Sequence, residues 1–329
     1  MKYSAFVTRI IPDEGINLLK KNKNIELDLY EHDQVIPRKE LLKRVKGKHI
    51  ILSILTDKID KEVFDAAGPQ LKMIANYAVG FDNIDLVEAK KRGITVTNTP
   101  SEMISESVAE HTIALMFALA KRIVETDKFT RAGKYKAWGP QLLLGTDLFK
   151  KTIGIIGTGR IGTGVVHRLH DGFGMKVVYN DVKKNPQLEQ ETGAKFRSLT
   201  QLLKESDFVS IHVPLLPSTK HLISTKEFAL MKPTAFIINT ARGPIIDEKA
   251  LCKALLKKQI AGAGLDVYEC EPLIDCDPND NLELRKMDNV VLTPHTASAT
   301  LTTRQEMSKI AAKNILAFVG GKRPPNRIE

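Results

Sequence analysis

The sequence predicts an α/β protein made of two doubly wound parallel-sheet domains. Three observations carry that prediction. Short β-like runs alternate with helix-like runs along the chain, its 329 residues are long for one domain, and the alternation restarts at Lys151 after a long apolar segment. With 43% hydrophobic residues the chain has ample material for two buried cores.

In the first hundred residues, Ala5-Phe6-Val7 and Ile50-Ile51-Leu52 read as strands, while Pro12 to Lys21 and Arg38 to Val45 carry helical periodicity. Strands follow at Leu71 to Ala75 and at Ile94 to Thr97. After Asn98-Thr99-Pro100 a helix is expected from about Glu106 to Lys121, apolar on most faces and therefore buried, connecting to the second domain.

That domain opens with the strand after Lys151. Further strands are expected at Lys176 to Asn180, Phe208 to Val213, Ala235 to Asn239, Ala263 to Val267 and Val290 to Leu292. Leu-rich helical faces lie between them, at Leu199-Leu202-Leu203 and around Ala250 to Leu256. The last helix, Thr302 to Val319, is free to fold back on the first domain and make it discontinuous. No solenoid-length repeat and no low-complexity tract is present.

The net charge of +10 comes from lysines scattered along the chain without interleaved aromatics, which argues for a solvated basic surface and against nucleic-acid binding. The N-terminal apolar stretch is short and broken by Thr8 and Arg9, so neither a signal peptide nor a membrane span is expected there, and the protein reads as cytoplasmic. Cys252, Cys270 and Cys276 are odd in number and form no CxxC pattern. They are expected to be ordinary reduced thiols, with no metal site.

The strand Thr152 to Ile156 runs straight into Gly157-Thr158-Gly159-Arg160-Ile161-Gly162, and a helix begins there with Val165, Val166 and Leu169. In that context GxGxxG has a mechanism. The first glycine makes the tight turn, the second admits backbone to a pyrophosphate, and the third lets helix and strand pack closely, with the phosphate at the helix N-terminus. Asp181 ends the next strand roughly 20 residues past Gly162, the separation expected of the acid that accepts the ribose hydroxyls. A carboxylate there favours NAD and repels the extra phosphate of NADP. Lys183 and Lys184 soften that discrimination, so NADP stays possible but less favoured.

Three segments near the ends of later strands carry reactive groups: Asn239 to Gly243, Gly264 to Pro272, and Thr293 to Thr296. Together they fit the reduction of a 2-oxo acid. Arg242 offers a planar fork for the carboxylate and polarises the carbonyl. His295 is the proton donor and acceptor, and Glu271 orients it and favours its charged form. The dinucleotide supplies the hydride.

Ile74 to Asp85 (IANYAVGFDNID), Asn98 to Pro100, GIIGTGRIG, NTARG, GAGLDVYECEP and TPHTASAT occur in order across nearly the whole chain. This pattern resembles the D-isomer-specific 2-hydroxyacid dehydrogenases, most closely their glyoxylate/hydroxypyruvate reductase branch. The resemblance implies a flavodoxin-like substrate domain, 1–99 plus 293–329, into which a Rossmann-type NAD domain, 100–292, is inserted. It also implies an active site in the cleft between them and a homodimer built through the NAD domains. By that resemblance Arg242, Glu271 and His295 are catalytic, backbone groups of Val79 and Gly80 bind the substrate carboxylate, Asp266 lies near the nicotinamide carboxamide, and Thr112 and Ala241 touch the cofactor.

Some positions depart from the pattern. Many relatives read HIGSAT where this chain has His295-Thr296-Ala297-Ser298-Ala299-Thr300, and phosphite-oxidising relatives carry Lys at Val79. The NADP-preferring reductases carry Ser or Thr and then Arg where Asp181 stands. The chain leaves no room after its last helix for the regulatory domain of many phosphoglycerate dehydrogenases. The expected activity is reduction of glyoxylate or hydroxypyruvate. D-lactate dehydrogenase is the alternative within the class, and a dinucleotide-sensing corepressor, as the C-terminal-binding-protein group resembles, is the alternative outside it.

Overall fold

The computed structural model describes residues 2–271 and 284–328. The chain divides into two compact units, Met1–Ile104 with Ala299–Glu329, and Ser105–Ser298. The expected divisions at 99/100 and 292/293 fall just before these.

The first unit alternates β1 (Tyr3–Val7), α1 (Asp13–Lys20), β2 (Ile25–Leu29), α2 (Arg38–Arg44), β3 (Ile50–Ile54), α3 (Lys61–Ala67), β4 (Met73–Tyr77), α4 (Leu86–Lys91) and β5 (Thr95–Thr97). Its parallel strands lie in the order β2-β1-β3-β4-β5, the flavodoxin-like doubly wound order. Every residue of β3 and β4 is buried, as strands covered by helices on both faces require. That is why they read as near-continuous apolar runs, interrupted by Ser53 and Asn76, whose side chains hydrogen-bond each other at 3.0 Å.

Helices α3 and α4 start where short polar side chains replace a missing backbone partner. Asp60 accepts from Val63 N at the head of α3, and Asp85 from Glu88 N at the head of α4.

The second unit holds α5 (Glu102–Ala120, which begins in the first unit), α6 (Ile123–Arg131), β6 (Thr152–Ile156), α7 (Arg160–Phe173), β7 (Lys176–Asn180), α8 (Pro186–Thr192), β8 (Lys195–Phe196), α9 (Leu199–Glu205) and β9 (Phe208–Ile211). It continues through α10 (Thr225–Phe228), β10 (Phe236–Asn239), α11 (Glu248–Leu256), β11 (Gly262–Leu265) and β12 (Val290–Leu292). The sheet order, β12-β11-β10-β9-β6-β7-β8, is the doubly wound dinucleotide-binding order with one strand added. Its switch point lies between β6 and β9, where consecutive strands leave in opposite directions.

The final helix α12 (Leu301–Val319) belongs to the first unit and packs on α1. Contact there is close enough that a Cβ on Gly15 would sit 2.1 Å from Ser308 O, and the Ser308 hydroxyl accepts from Gly15 N. Ile328 N donates to Val96 O, so the chain end also lies along β5.

Helix α5 is long and apolar enough to cross a membrane by length and composition, yet half of it is buried. Ala109, Leu115 and Met116 belong to the apolar core that includes Ile153, Ile155 and Val165. It is a core helix, as its all-round apolar pattern predicts.

One expectation about the cysteines is corrected. Cys252 is a buried thiol outside any disulfide, but Cys270 takes part in a disulfide, and Cys276 lies outside the described residues. An odd count excludes a fully paired framework, not a single bridge.

Candidate active site

The glycine-rich turn between β6 and α7 divides its work among three glycines. Gly157 has φ +94, which a side chain resists, and a Cβ there would lie 2.8 Å from His212 O. On Gly162 a Cβ would strike Gly157 O at 2.1 Å, so the third glycine is a packing requirement. A Cβ on Gly159 meets nothing within 4 Å. The fold does not need glycine there, which leaves the space above the turn as the reason for its small size.

Helix α7 also lacks what α8, α9 and α11 have. Asn185, Ser198 and Asp247 cap α8, α9 and α11 with side-chain oxygens, whereas Gly159 heads the fourteen-residue α7 with no side-chain cap and no acid in the first turn. The positive end of α7 is therefore left to an anion. These residues fit the pyrophosphate of a dinucleotide.

Asp181 sits at the end of β7 beside this turn. Its Oδ2 accepts from Thr158 N at 2.6 Å and from Thr158 Oγ1 at 2.9 Å, and its Oδ1 accepts from Val182 N at 2.7 Å. Burial alone would push the carboxyl up, but these donors outweigh it and hold Asp181 below the usual carboxylate range. An anion is thus fixed where a ribose would lie. Of the two lysines that follow, Lys184 lies over the Phe196 ring, 5.9 Å from its centroid.

The strand ends beyond the switch point carry the reactive groups. After β10, Asn239 closes a tight loop: its Oδ1 accepts from Ala241 N at 3.0 Å and its Nδ2 donates to Arg242 O at 2.8 Å. Arg242 Nη1 donates to Ala241 O at 2.7 Å, which directs the guanidinium along the loop.

His295 follows β12 with φ 55, a left-handed conformation uncommon for a residue with a side chain. Its Nδ1 lies 2.9 Å from Glu271 Oε2, and Glu271 Oε1 accepts from Tyr268 N at 2.9 Å. Glu271 is therefore anchored at one oxygen and oriented toward the ring with the other.

Asp266, at the end of β11, is fully buried. It accepts from Thr293 Oγ1 at 2.6 Å, from Thr296 N at 2.8 Å and from Ala297 N at 2.8 Å, and its carbonyl accepts from His295 N at 2.8 Å. Burial raises the Asp266 carboxyl, and hydrogen bonds from His111, Thr293 and the loop amides more than offset that, so it stays ionised. Its place is beneath the His295 loop.

Thr112 is likewise fully buried, donating to Val108 O at 2.8 Å and lying 2.9 Å from Thr240 Oγ1. Its hydroxyl is engaged by Val108 and Thr240 inside the protein. Among the described residues no group of three or more His, Cys, Asp or Glu is arranged to hold a metal.

In the first unit, Val79 and Gly80 follow β4. Asn98 Nδ2 donates to Val79 O at 2.8 Å and Asn76 Nδ2 to Gly80 O at 3.0 Å, so two amides fix the loop through its carbonyls. Sequence reading gave no separate role to Thr158, Asn239, Tyr268 or His111. The first three stood inside motifs already noted, but nothing in their spacing shows which atoms they hold.

A doubly wound sheet with an open, glycine-headed helix at its switch point and an ionised acid ending the neighbouring strand defines a dinucleotide-binding unit. Comparison with known proteins makes this specific. The family profile described as D-isomer specific 2-hydroxyacid dehydrogenase, NAD binding domain, matches residues 113–297. A glyoxylate reductase of Korarchaeum cryptofilum is 47% identical over 329 residues, 100% of this chain and 96% of the relative.

Among solved structures, a Thermus thermophilus protein superposes with a TM-score of 0.90 at 41% identity, covering 99% of this chain and 100% of that one. D-lactate dehydrogenase of Aquifex aeolicus, complexed with NAD and lactic acid, gives 0.85 at 35% identity and covers 99% and 98%. The chain belongs to the D-isomer-specific 2-hydroxyacid dehydrogenases, NAD-binding oxidoreductases.

Proposed function

We propose that the protein reduces glyoxylate, and hydroxypyruvate as a second small 2-oxo acid, to the 2-hydroxy acid with NADH, and runs the reverse oxidation. The observation that carries this reading is the Glu271 and His295 pair at 2.9 Å, set at the strand ends of a dinucleotide-binding sheet. The glyoxylate reductase of K. cryptofilum supports the choice of substrate.

When bound along Gly157, Gly159, Arg160, Ile161 and Gly162, with its ribose on Asp181 and with Ala241 beside it, the dinucleotide supplies hydride to the carbonyl carbon. Arg242 binds the carboxylate and draws electron density from the carbonyl, and backbone N–H groups of Val79 and Gly80 add to that grip. With Nδ1 donating to Glu271, His295 presents Nε2 to the carbonyl oxygen. The Nε2 proton passes to the oxygen as negative charge grows there, leaving a neutral imidazole, and in oxidation the same nitrogen takes it back. Asp266 acts from below, through the loop that carries His295.

Among the described residues only helix α5 is long and apolar enough to span a bilayer, and half of it is buried in the protein. Homodimer formation is supported by the stretch before β6, which exposes Tyr135, Trp138, Leu144 and Phe149, with Trp138 at 80%. That much exposed aromatic and aliphatic surface on one segment fits an interface.

The test follows the loss of NADH absorbance with glyoxylate, hydroxypyruvate, pyruvate and bulkier 2-oxo acids, repeated with NADPH. Fast turnover of the first two with NADH is expected. Preference for pyruvate moves the assignment to D-lactate dehydrogenase, the reading favoured by the likeness to the A. aeolicus enzyme.

A further inference from the structure

We propose that His111 and Thr112, consecutive residues of α5, are positioning residues that tie the two catalytic loops to one helix and so set Arg242 and His295 in register. This rests on the function proposed above and names residues that act on that site without touching the substrate.

The proton directions follow from the acceptors. Thr293 Oγ1 gives its proton to Asp266 Oδ1 at 2.6 Å, so in its 3.0 Å contact with His111 it accepts, and Nε2 of His111 carries the hydrogen. The same Nε2 lies 3.4 Å from Asp266 Oδ1. His111 thereby fastens α5 to the carboxylate that holds Thr296 N and Ala297 N, and to the residue whose main-chain carbonyl holds His295 N. One turn earlier, Ser107 Oγ donates to Ala297 O at 2.9 Å, a second tie to that loop.

Thr112 does the same for the other loop. Its hydroxyl proton goes to Val108 O, so at 2.9 Å it accepts from Thr240 Oγ1, two residues before Arg242. Adjacent residues on a helix point about 100° apart. One face of α5 therefore reaches the end of β12 and the next reaches the end of β10, on either side of β11 in the sheet.

Such a tie is needed because His295 sits at φ 55, a conformation that costs about 1 kcal/mol and persists only where neighbours impose it. Displacing a catalytic group by about 1 Å costs on the order of a hundredfold in rate.

The experiment compares His111→Phe, His111→Gln and Thr112→Val with wild type in kcat, KM for glyoxylate, NADH affinity and thermal midpoint. A second readout needs no turnover: the rate at which diethyl pyrocarbonate modifies His295, followed by mass spectrometry. His111→Phe should lose about ten- to a hundredfold in kcat with NADH affinity kept. His295 should be modified faster, and Gln, which restores a donor, should recover most of both. Thr112→Val should raise KM for the 2-oxo acid more than it lowers kcat.

Wild-type kcat in His111→Phe overturns the inference, as does a loss that follows the thermal midpoint and is not recovered by Gln. If wild type turns over no 2-oxo acid, the proposed function fails, and the modification rates alone decide this inference: equal rates in wild type and His111→Phe overturn it.

Discussion

His295 Nδ1 and Glu271 Oε2 stand 2.9 Å apart, and the carboxylate is itself anchored by Tyr268 N. The pairing fixes which ring nitrogen carries the transferable proton. Glu271→Gln should lower kcat by roughly ten- to a hundredfold, and His295→Ala by about a hundred- to ten-thousandfold, with NADH affinity unchanged in both. Steady-state kinetics with a separate NADH titration checks this, and unchanged turnover in the His295 variant would sink the acid/base assignment.

Arg242 leaves a different signature. Its guanidinium is expected to hold the substrate in the ground state and more strongly as charge develops, so Arg242→Ala should raise KM and lower kcat together. Arg242→Lys should recover little, because an ammonium lacks the planar fork. Full recovery by Lys would show that a point charge suffices.

The two later glycines of the turn should separate fold from ligand. Gly159→Ala places a Cβ in open space, so it should keep its thermal midpoint and lose NADH affinity. Gly162→Ala drives a Cβ to 2.1 Å from Gly157 O and should lose both. Thermal melts beside NADH titrations decide it, and a Gly159→Ala protein that binds NADH normally would remove the pyrophosphate from this turn.

Asp181 sets the pH behaviour of cofactor choice. Its folded value lies below the ordinary one because the Thr158 and Val182 donors outweigh burial. Its stabilising contribution is therefore present above the unfolded carboxylate value, near ~3.9, and is lost only as pH falls through the lower folded value. Asp181-dependent NADH affinity should be flat from about pH 5 to 8. The bias against NADPH should grow as the ligand's 2′-phosphate takes its second charge near pH ~6. Isothermal titrations of wild type and Asp181→Ala with both cofactors test this. Asp181-dependent NADH affinity that fell between about pH 7 and 5 would put its ionisation in that window and overturn the argument.

Trp138 is the chain's single tryptophan and lies 80% exposed. Should this segment form the homodimer interface, dilution will shift its emission to the red as the sedimenting mass halves, and Trp138→Asp will give a monomer at all concentrations. An unchanged mass in that variant would move the interface elsewhere.

Period and punctuation in the sequence determine the fold class, because covered parallel strands such as β3 and β4 read as near-continuous apolar runs even with Ser53 and Asn76 in them, and glycine-rich turns must fall where strand meets helix. The short elements β2, α3, α4, α6 and β8 were not legible, since a few residues with mixed exposure carry little periodicity. Residue types in order also pointed to Arg242, Glu271 and His295, because a 2-oxo acid reduction needs a cation and an oriented imidazole.

What only the tertiary structure decided is which atoms meet. The resemblance set Thr112 and Asp266 near the cofactor, and the fold adds which protein atoms they meet: both are buried, Thr112 beside Thr240 and Asp266 against the His295 loop. His111, which no motif marked, became a hinge pin of the site through a contact spanning 182 positions of chain. Spacing along a chain records local geometry, whereas a hydrogen bond between the side of a helix and the end of a strand exists only once both have packed against the same sheet.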